Sequence, residues 1–347
     1  MPTTWPKPRP DLQENQVHYV DGLECSEFDR EVFTELREGG LTCVTVTCGY
    51  WGDALESMDS LAAWRDLARD NEDLIGIART AADIERIAAE GRTAILLGFQ
   101  NSAFLAGRIR FVELFADLGV RVAQLTYNIQ NDIGASCYDD PDSGLTRFGR
   151  EVVAEMNRVG MAVDLSHVGD RTSIEAIEHS TAPVAITHAN AASLVPHRRN
   201  KSDEVLKGLA ARGGVLGVSG YRNISGPYAE SIDAWAEMVA RTVDLIGVDH
   251  VGIGTDLGRK VTFEHLQWMR QGRWSARPQY GAGSASNPGK QPPLPWFPDT
   301  RAFPAKEEAL RRYGFDEQSV AAVMGGNWLR FYADVLPQSS DQPSREE

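Results

Sequence analysis

Two short apolar runs in this sequence end in an imidazole. "GMAVDLSHVG" carries Met161 to Leu165 into Ser166 and His167, and twenty-one residues later "VAITHAN" closes at His188. Other runs of the same length end in Glu24 and Cys25, Gln100 and Asn101, Tyr127 and Asn128, and Asp256, while Arg199 follows His188 in "PHRRN". Two imidazoles with a thiolate or carboxylate as third ligand, and water in the fourth position, form the donor set of a catalytic zinc. Here His167 and His188 would supply the imidazoles, and Cys25 or Asp256 the third ligand. The same residues also have plainer roles. A strand-ending histidine serves as a hydrogen-bonded structural residue, and Cys25 as a small buried hydrophobe. Asp256 can cap the next segment, and Arg199 can either pair with Asp203 or clamp a carboxylate with two parallel hydrogen bonds.

The elements that position these residues repeat along the chain. Strand-length apolar runs fall at 18–23, 41–48, 74–79, 93–99, 120–127, 161–165, 183–187, 214–219 and 250–256. Helical patterns at 26–40, 81–91, 149–160 and 234–247, closed by glycines, lie between them. Strand alternating with helix this often predicts a parallel sheet, and the length suits a single (β/α)8 barrel spanning 1–347. Nine runs exceed the eight barrel strands by one, and "LIGIAR" at 74–79 is the one expected to be peripheral. In such a barrel the C-terminal strand ends converge on the active site, and those ends carry the residues named above. The stretch 258–304, rich in Gly, Ser, Pro and Trp, reads as a long loop over the barrel mouth, and 336–347 as a polar tail.

"VDLSH", "ITHAN" with "HRRN", "GIGTDL" and the late "MGGNWLRFY" together resemble the membrane (renal) dipeptidase family, metal-dependent hydrolases of dipeptides on a (β/α)8 barrel. The resemblance runs in order from about Val20 to Tyr332. It implies metal ligation by His167 and His188, a carboxylate-binding role for Arg199, and for Asp256 a contact to the substrate amine and a part in proton transfer. Three of the family's metal ligands are replaced. After Asp21 and Gly22, its His-x-Asp positions hold Leu23 and Cys25, and its bridging glutamate is Gln100. A substrate-binding histidine has also become Tyr127. Two zinc ions need an anion between them to offset their repulsion, and neither Gln100 nor Leu23 supplies one. The expectation is at most one zinc.

With 35 Lys and Arg against 49 Asp and Glu the net charge is −14, which argues against nucleic acid or an anionic membrane as partner. Four cysteines without C-x-x-C spacing read as free thiols, and the absence of a signal-like or membrane-spanning run points to a cytoplasmic protein. The reading is therefore a dipeptidase-like hydrolase of a dipeptide or other small amino-acid amide, with room for a homodimer. Asp256 and His167 would be catalytic, and Arg199, Tyr127, Asn128 and Gln100 would bind substrate. The rivals are a metal-free enzyme of another class acting on a small zwitterion, and a ligand-binding homologue without catalysis.

Overall fold

A computed structural model describes residues 17–272, 281, 283 and 290–338. The apolar runs form nine parallel strands: β1 (Tyr19–Glu24), β2 (Leu41–Thr47), β3 (Ile75–Ile77), β4 (Thr93–Phe99), β5 (Val120–Gln124), β6 (Ala162–Asp164), β7 (Ala185–Ala189), β8 (Val215–Val218) and β9 (Val251–Ile253). Eight of them close a barrel in the order β1, β2, β4, β5, β6, β7, β8, β9 and back to β1. β3 pairs only with the start of β4, Ile75 against Thr93, and stays outside the ring. The run expected to be peripheral is the one left out.

The helices start where a side chain can take up orphan N–H groups. Asp29 caps Arg30–Glu38, Thr146 caps Arg147–Val159, and Ser231 caps Ile232–Ile246. Helix Ala81–Ala89 has a full capping box between Thr80 and Asp83.

The late motif "MGGNWLRFY" closes the barrel floor. A π-turn at Ala322–Gly326 leads into helix Asn327–Val335, and it passes so near β1 that a Cβ on Gly325 would sit 2.3 Å from the His18 carbonyl oxygen. Trp328 then lies against Gly22 of β1 and Gly252 of β9, where any Cβ would come within 2.5 Å of its ring. The Trp328 indole N–H donates to the Ile253 carbonyl at 2.9 Å, and the Tyr332 hydroxyl meets Thr45 Oγ1 at 2.9 Å. This packing seals the N-terminal end of the barrel and leaves the other end for chemistry.

The stretch 258–304 is only partly irregular. It contains helix Phe263–Gln271, capped by Thr262, and a 3-10 turn at Thr300–Ala302, and its end starts helix Phe303–Tyr313. Trp274 and Tyr280 lie outside the described residues, as do 1–16 and 339–347. Among the described residues, no helix is long and apolar enough to cross a membrane.

Candidate active site

The short strands β6 and β7 bring together His167, three residues past the end of β6, and His188, within β7. His167 Nε2 and His188 Nε2 lie 3.2 Å apart, both residues buried. Their other ring nitrogens are already committed. His167 Nδ1 sits 2.8 Å from Asn128 Oδ1, and His188 Nδ1 sits 2.8 Å from Thr187 Oγ1. Thr187 gives its own hydroxyl hydrogen to Asp164 Oδ2 at 2.8 Å, so toward His188 it can only accept. Both Nδ1 atoms therefore carry the hydrogen, and two bare Nε2 lone pairs face one another. Burial, reinforced by the Arg199 charge, holds both imidazoles well below their ordinary pKa and thus neutral.

Asp164 organises this pair. Its carboxylate accepts from Ser166 N at 3.0 Å, Ser166 Oγ at 2.6 Å, Thr187 N at 3.0 Å and Thr187 Oγ1, tying β6 to β7 from inside the barrel. Asp21 does the same between β1 and β9, taking Thr255 N at 2.8 Å and Thr255 Oγ1 at 2.5 Å. Neither aspartate was singled out by the sequence. The signal available was the repeated Val-Asp pair in an apolar run, in "VDLS" and "VDGL".

The remaining candidates share a cavity of about 190 Å³ with His167: Cys25, Gln100, Tyr127, Asn128, Arg199 and Asp256 all line it. Asn128 and Asp256 both adopt left-handed backbone, with φ of 55° and 57°, a conformation that non-glycine residues hold at some energetic cost and often at functional positions. Burial raises the Asp256 carboxyl to about 6, against the opposing pull of Arg199 and the Cys25 thiol. Two of the five guanidinium N–H donors of Arg199 go to the carbonyls of Ser166 and His188 (the second at 2.7 Å), which fixes the group beside both histidines. Tyr127 stacks on His167 with centroids 4.3 Å apart and is wedged by Tyr50 and Trp51. Gln100 faces the cavity and donates from Nε2 to Thr47 Oγ1 at 2.9 Å.

The two bare Nε2 atoms are spaced as a pair of ligands to a single ion would be. Two nitrogens each ~2.05 Å from a tetrahedral zinc lie roughly 3.3 Å apart, close to the spacing of the two bare Nε2 atoms. A second ion finds no bridging carboxylate, since Gln100 is neutral and Leu23 is buried hydrocarbon. The expected third ligand is not assembled: among the described residues, no group of three His, Cys, Asp or Glu side chains could hold a metal. Cys25 Sγ rests instead 3.7 Å from Asp256 Oδ1, and burial together with that carboxylate pushes its thiol well above the ordinary range. A protonated thiol is a poor ligand.

One cation of the same cavity wall escaped the sequence reading. Lys306, 1% exposed, lies over the rings of Trp235, Phe297 and Trp296, with Nζ 4.1, 4.1 and 4.8 Å from their centroids. Desolvation lowers it from 10.5 to about 7, opposed by the more distant Asp21 charge. A base with a depressed folded pKa makes the unfolded chain bind more protons, so it destabilises the fold fully below about pH 7 and ceases to do so above 10.5. Lys306→Met is therefore expected to stabilise the protein by roughly 1–4 kcal/mol at pH 6, with the gain shrinking as pH rises from 7 toward 10. Denaturant unfolding across that range checks it; a gain independent of pH would assign the effect to packing.

The closed eight-stranded parallel barrel with its mouth at the strand C-termini defines the class of protein. An amidohydrolase of Pseudomonas aeruginosa superposes with a TM-score of 0.86 at 38% identity, over 92% of this chain and 97% of its own. A metallopeptidase of Rhodobacter sphaeroides, solved with a phosphinate mimic of the dipeptide L-Ala-D-Ala, shares the fold at a TM-score of 0.74 and 18% identity, covering 92% of this chain and 99% of its own. Dipeptidase tcpJ of Claviceps purpurea is 28% identical over 84% of this chain and 61% of its own length. The family model described as Membrane dipeptidase (Peptidase family M19) matches residues 30–271. The chain belongs to that family. It spans about half the length of the curated relatives that it matches.

Proposed function

We propose that this protein hydrolyses the amide bond of a dipeptide or other small amino-acid amide in the cavity at the barrel mouth, with at most one zinc ion. The observation that carries the reading is the convergence of the two Nε2 lone pairs, with His167, Arg199 and Asp256 lining one cavity. His167 and His188 would hold the ion, which when bound supplies Lewis acidity for attack on the amide. The chain's own residues do the rest. Arg199, fixed by two backbone carbonyls, grips the substrate carboxylate. Asp256, with a carboxyl near 6, takes a proton from the attacking water and returns it to the leaving amine. Asn128 and Thr187 keep the two Nε2 atoms bare and aligned, and Tyr127 keeps bulk water from the face of His167. Four free thiols suit a reducing compartment such as the cytoplasm.

The test joins metal content to turnover. Protein purified without chelator is expected to contain no more than one zinc per chain by elemental analysis, removable by mild chelation because two imidazoles hold it. Neutral dipeptides are expected to turn over below ~10 per second, the median for enzymes, and to lose turnover with the metal. Two tightly held ions per chain would overturn the stoichiometry, and failure to cleave any amide with zinc supplied would overturn the reaction.

A further inference from the structure

The chain has six lysines, and two of them are buried with depressed pKa values. Desolvation is the main cause in both, lowering Lys201 to about 8 and Lys306 to about 7. Their surroundings differ. Lys201, in the loop after β7, donates from Nζ to the Val168 carbonyl and lies 3.5 Å from Ser173 Oγ, so its amine is spent on holding that loop against the residues after β6. Among the described residues Lys306 Nζ has no hydrogen-bond acceptor. Ring faces surround it instead: Trp235 from helix Ile232–Ile246, Phe297, and Trp296, whose indole N–H is anchored on the Ala229 carbonyl at 2.9 Å.

The rings decide where the neutral amine points its lone pair. The face of an aromatic ring is negative, so it attracts N–H and repels a lone pair. A neutral Nζ therefore turns its two N–H bonds toward the rings and its lone pair away from them. Lys306 and Phe297 line the same cavity of about 190 Å³ as Arg199 and Asp256, which makes that cavity the open side. An amine desolvated in an apolar pocket, with its lone pair uncommitted, is a nucleophile toward carbonyl carbon.

We propose that Lys306 is a covalent anchor for small carbonyl compounds, aldehydes or 2-oxo acids, that enter the cavity. Nζ adds to the carbonyl carbon to give a carbinolamine. Its two hydrogens then leave with the carbonyl oxygen as water, and a C=N bond stands where C=O was, so no oxidant or reductant is consumed. The adduct would share the cavity with the amide substrate, but its formation does not depend on amide cleavage, and the inference stands apart from the hydrolase reading.

The test is reductive trapping. Folded protein at about pH 7.5 is mixed with limiting pyruvate, or with limiting propanal, and treated with borohydride, whose hydride adds to the imine carbon and fixes a secondary amine. Peptide mass mapping is expected to find the adduct on Lys306 at ~10-fold or more the level on any other lysine, because an unperturbed lysine, at ~10.4, holds almost no neutral amine at that pH. Lys201 is the internal control, since it shares the low pKa and lacks the open lone pair. Lys306→Met is expected to lose that adduct alone. Trp296→Leu, which keeps the amine and admits water to it, is expected to reduce the adduct several-fold, and the chain unfolded in urea is expected to label evenly. An adduct from pyruvate alone assigns a 2-oxo acid, and one from propanal alone an aldehyde. Label spread evenly over the folded chain, label on Lys201 equal to that on Lys306, or no label on Lys306 because the rings keep Nζ protonated, overturns the inference.

Discussion

Asp256→Asn is expected to lower kcat by about 10²–10⁴-fold, the usual yield of a positioned acid–base group, while leaving the protein folded. The substitution is nearly isosteric. Asparagine also tolerates the left-handed backbone that Asp256 adopts, at φ 57°, so a loss of activity would not be a loss of structure. What changes is the capacity to hold a proton. The carboxyl sits near 6 because burial disfavours its charge and Arg199 only partly restores it, so at neutral pH it is mostly ionised yet close enough in pKa to exchange a proton with water and amine. An amide side chain cannot do this. KM is expected to change much less than kcat, because Arg199 remains to hold the carboxylate. Steady-state kinetics on a cleaved peptide, with circular dichroism and zinc content as controls, checks the point. A kcat within tenfold of wild type would remove Asp256 from the proton path and leave it as a partner of the Cys25 thiol, whose Sγ lies 3.7 Å from it.

The barrel was legible because its strands are buried on both faces and so read as near-continuous apolar runs. Helix starts were less legible. The pattern opening at 26 folds only from Arg30, because Asp29 turns its side chain back to Val32 N at 3.1 Å. The run to Tyr127 ends as a strand at Gln124, whose amide donates to the Thr126 carbonyl at 2.7 Å and bends the chain toward the site. Helix Phe263–Gln271 was hidden by the Gly- and Pro-rich composition around it.

Among the residues brought together at the barrel mouth, those at strand ends stand out in the sequence and those that orient them do not. His167, His188, Asp256 and Arg199 stand out because imidazole and charge are unusual at the end of an apolar run. The buried network of Asp164, Ser166 and Thr187 does not, because Ser and Thr beside an aspartate occur in any loop. Their meaning depends on which strands become neighbours, and here β6 beside β7 puts Thr187 against Asp164. Cys25 marks the same limit from the other side. Its position in the chain suggests a ligand, while burial and the nearby Asp256 carboxylate push its thiol well above the ordinary range.

Gly254→Ala is expected to destabilise the fold by about 3 kcal/mol, the upper part of the range for overpacking a well-filled core, and to disrupt the histidine pair at the same time. A Cβ at residue 254 would stand 1.8 Å from the Thr187 carbonyl oxygen and 3.1 Å from the Gly217 Cα. Glycine at both 217 and 254 is what lets β8 and the end of β9 approach β7 this closely, and the Thr187 carbonyl belongs to the residue that fixes the His188 tautomer. Relief of the clash therefore has to move β7. That movement stretches the hydrogen bonds from Thr187 N and Oγ1 to Asp164 and separates the two Nε2 atoms. Gly208→Ala is the matched control. It lies in helix Asp203–Ala211, its nearest neighbour would be Ile177 Cδ1 at 3.9 Å, and the gain in helix propensity is about 0.5–1 kcal/mol. Urea unfolding of the two variants is expected to move in opposite directions, with zinc affinity lost only in Gly254→Ala. If Gly254→Ala were as stable as wild type and still bound zinc, the close contact with Thr187 would not be what aligns His188 with His167.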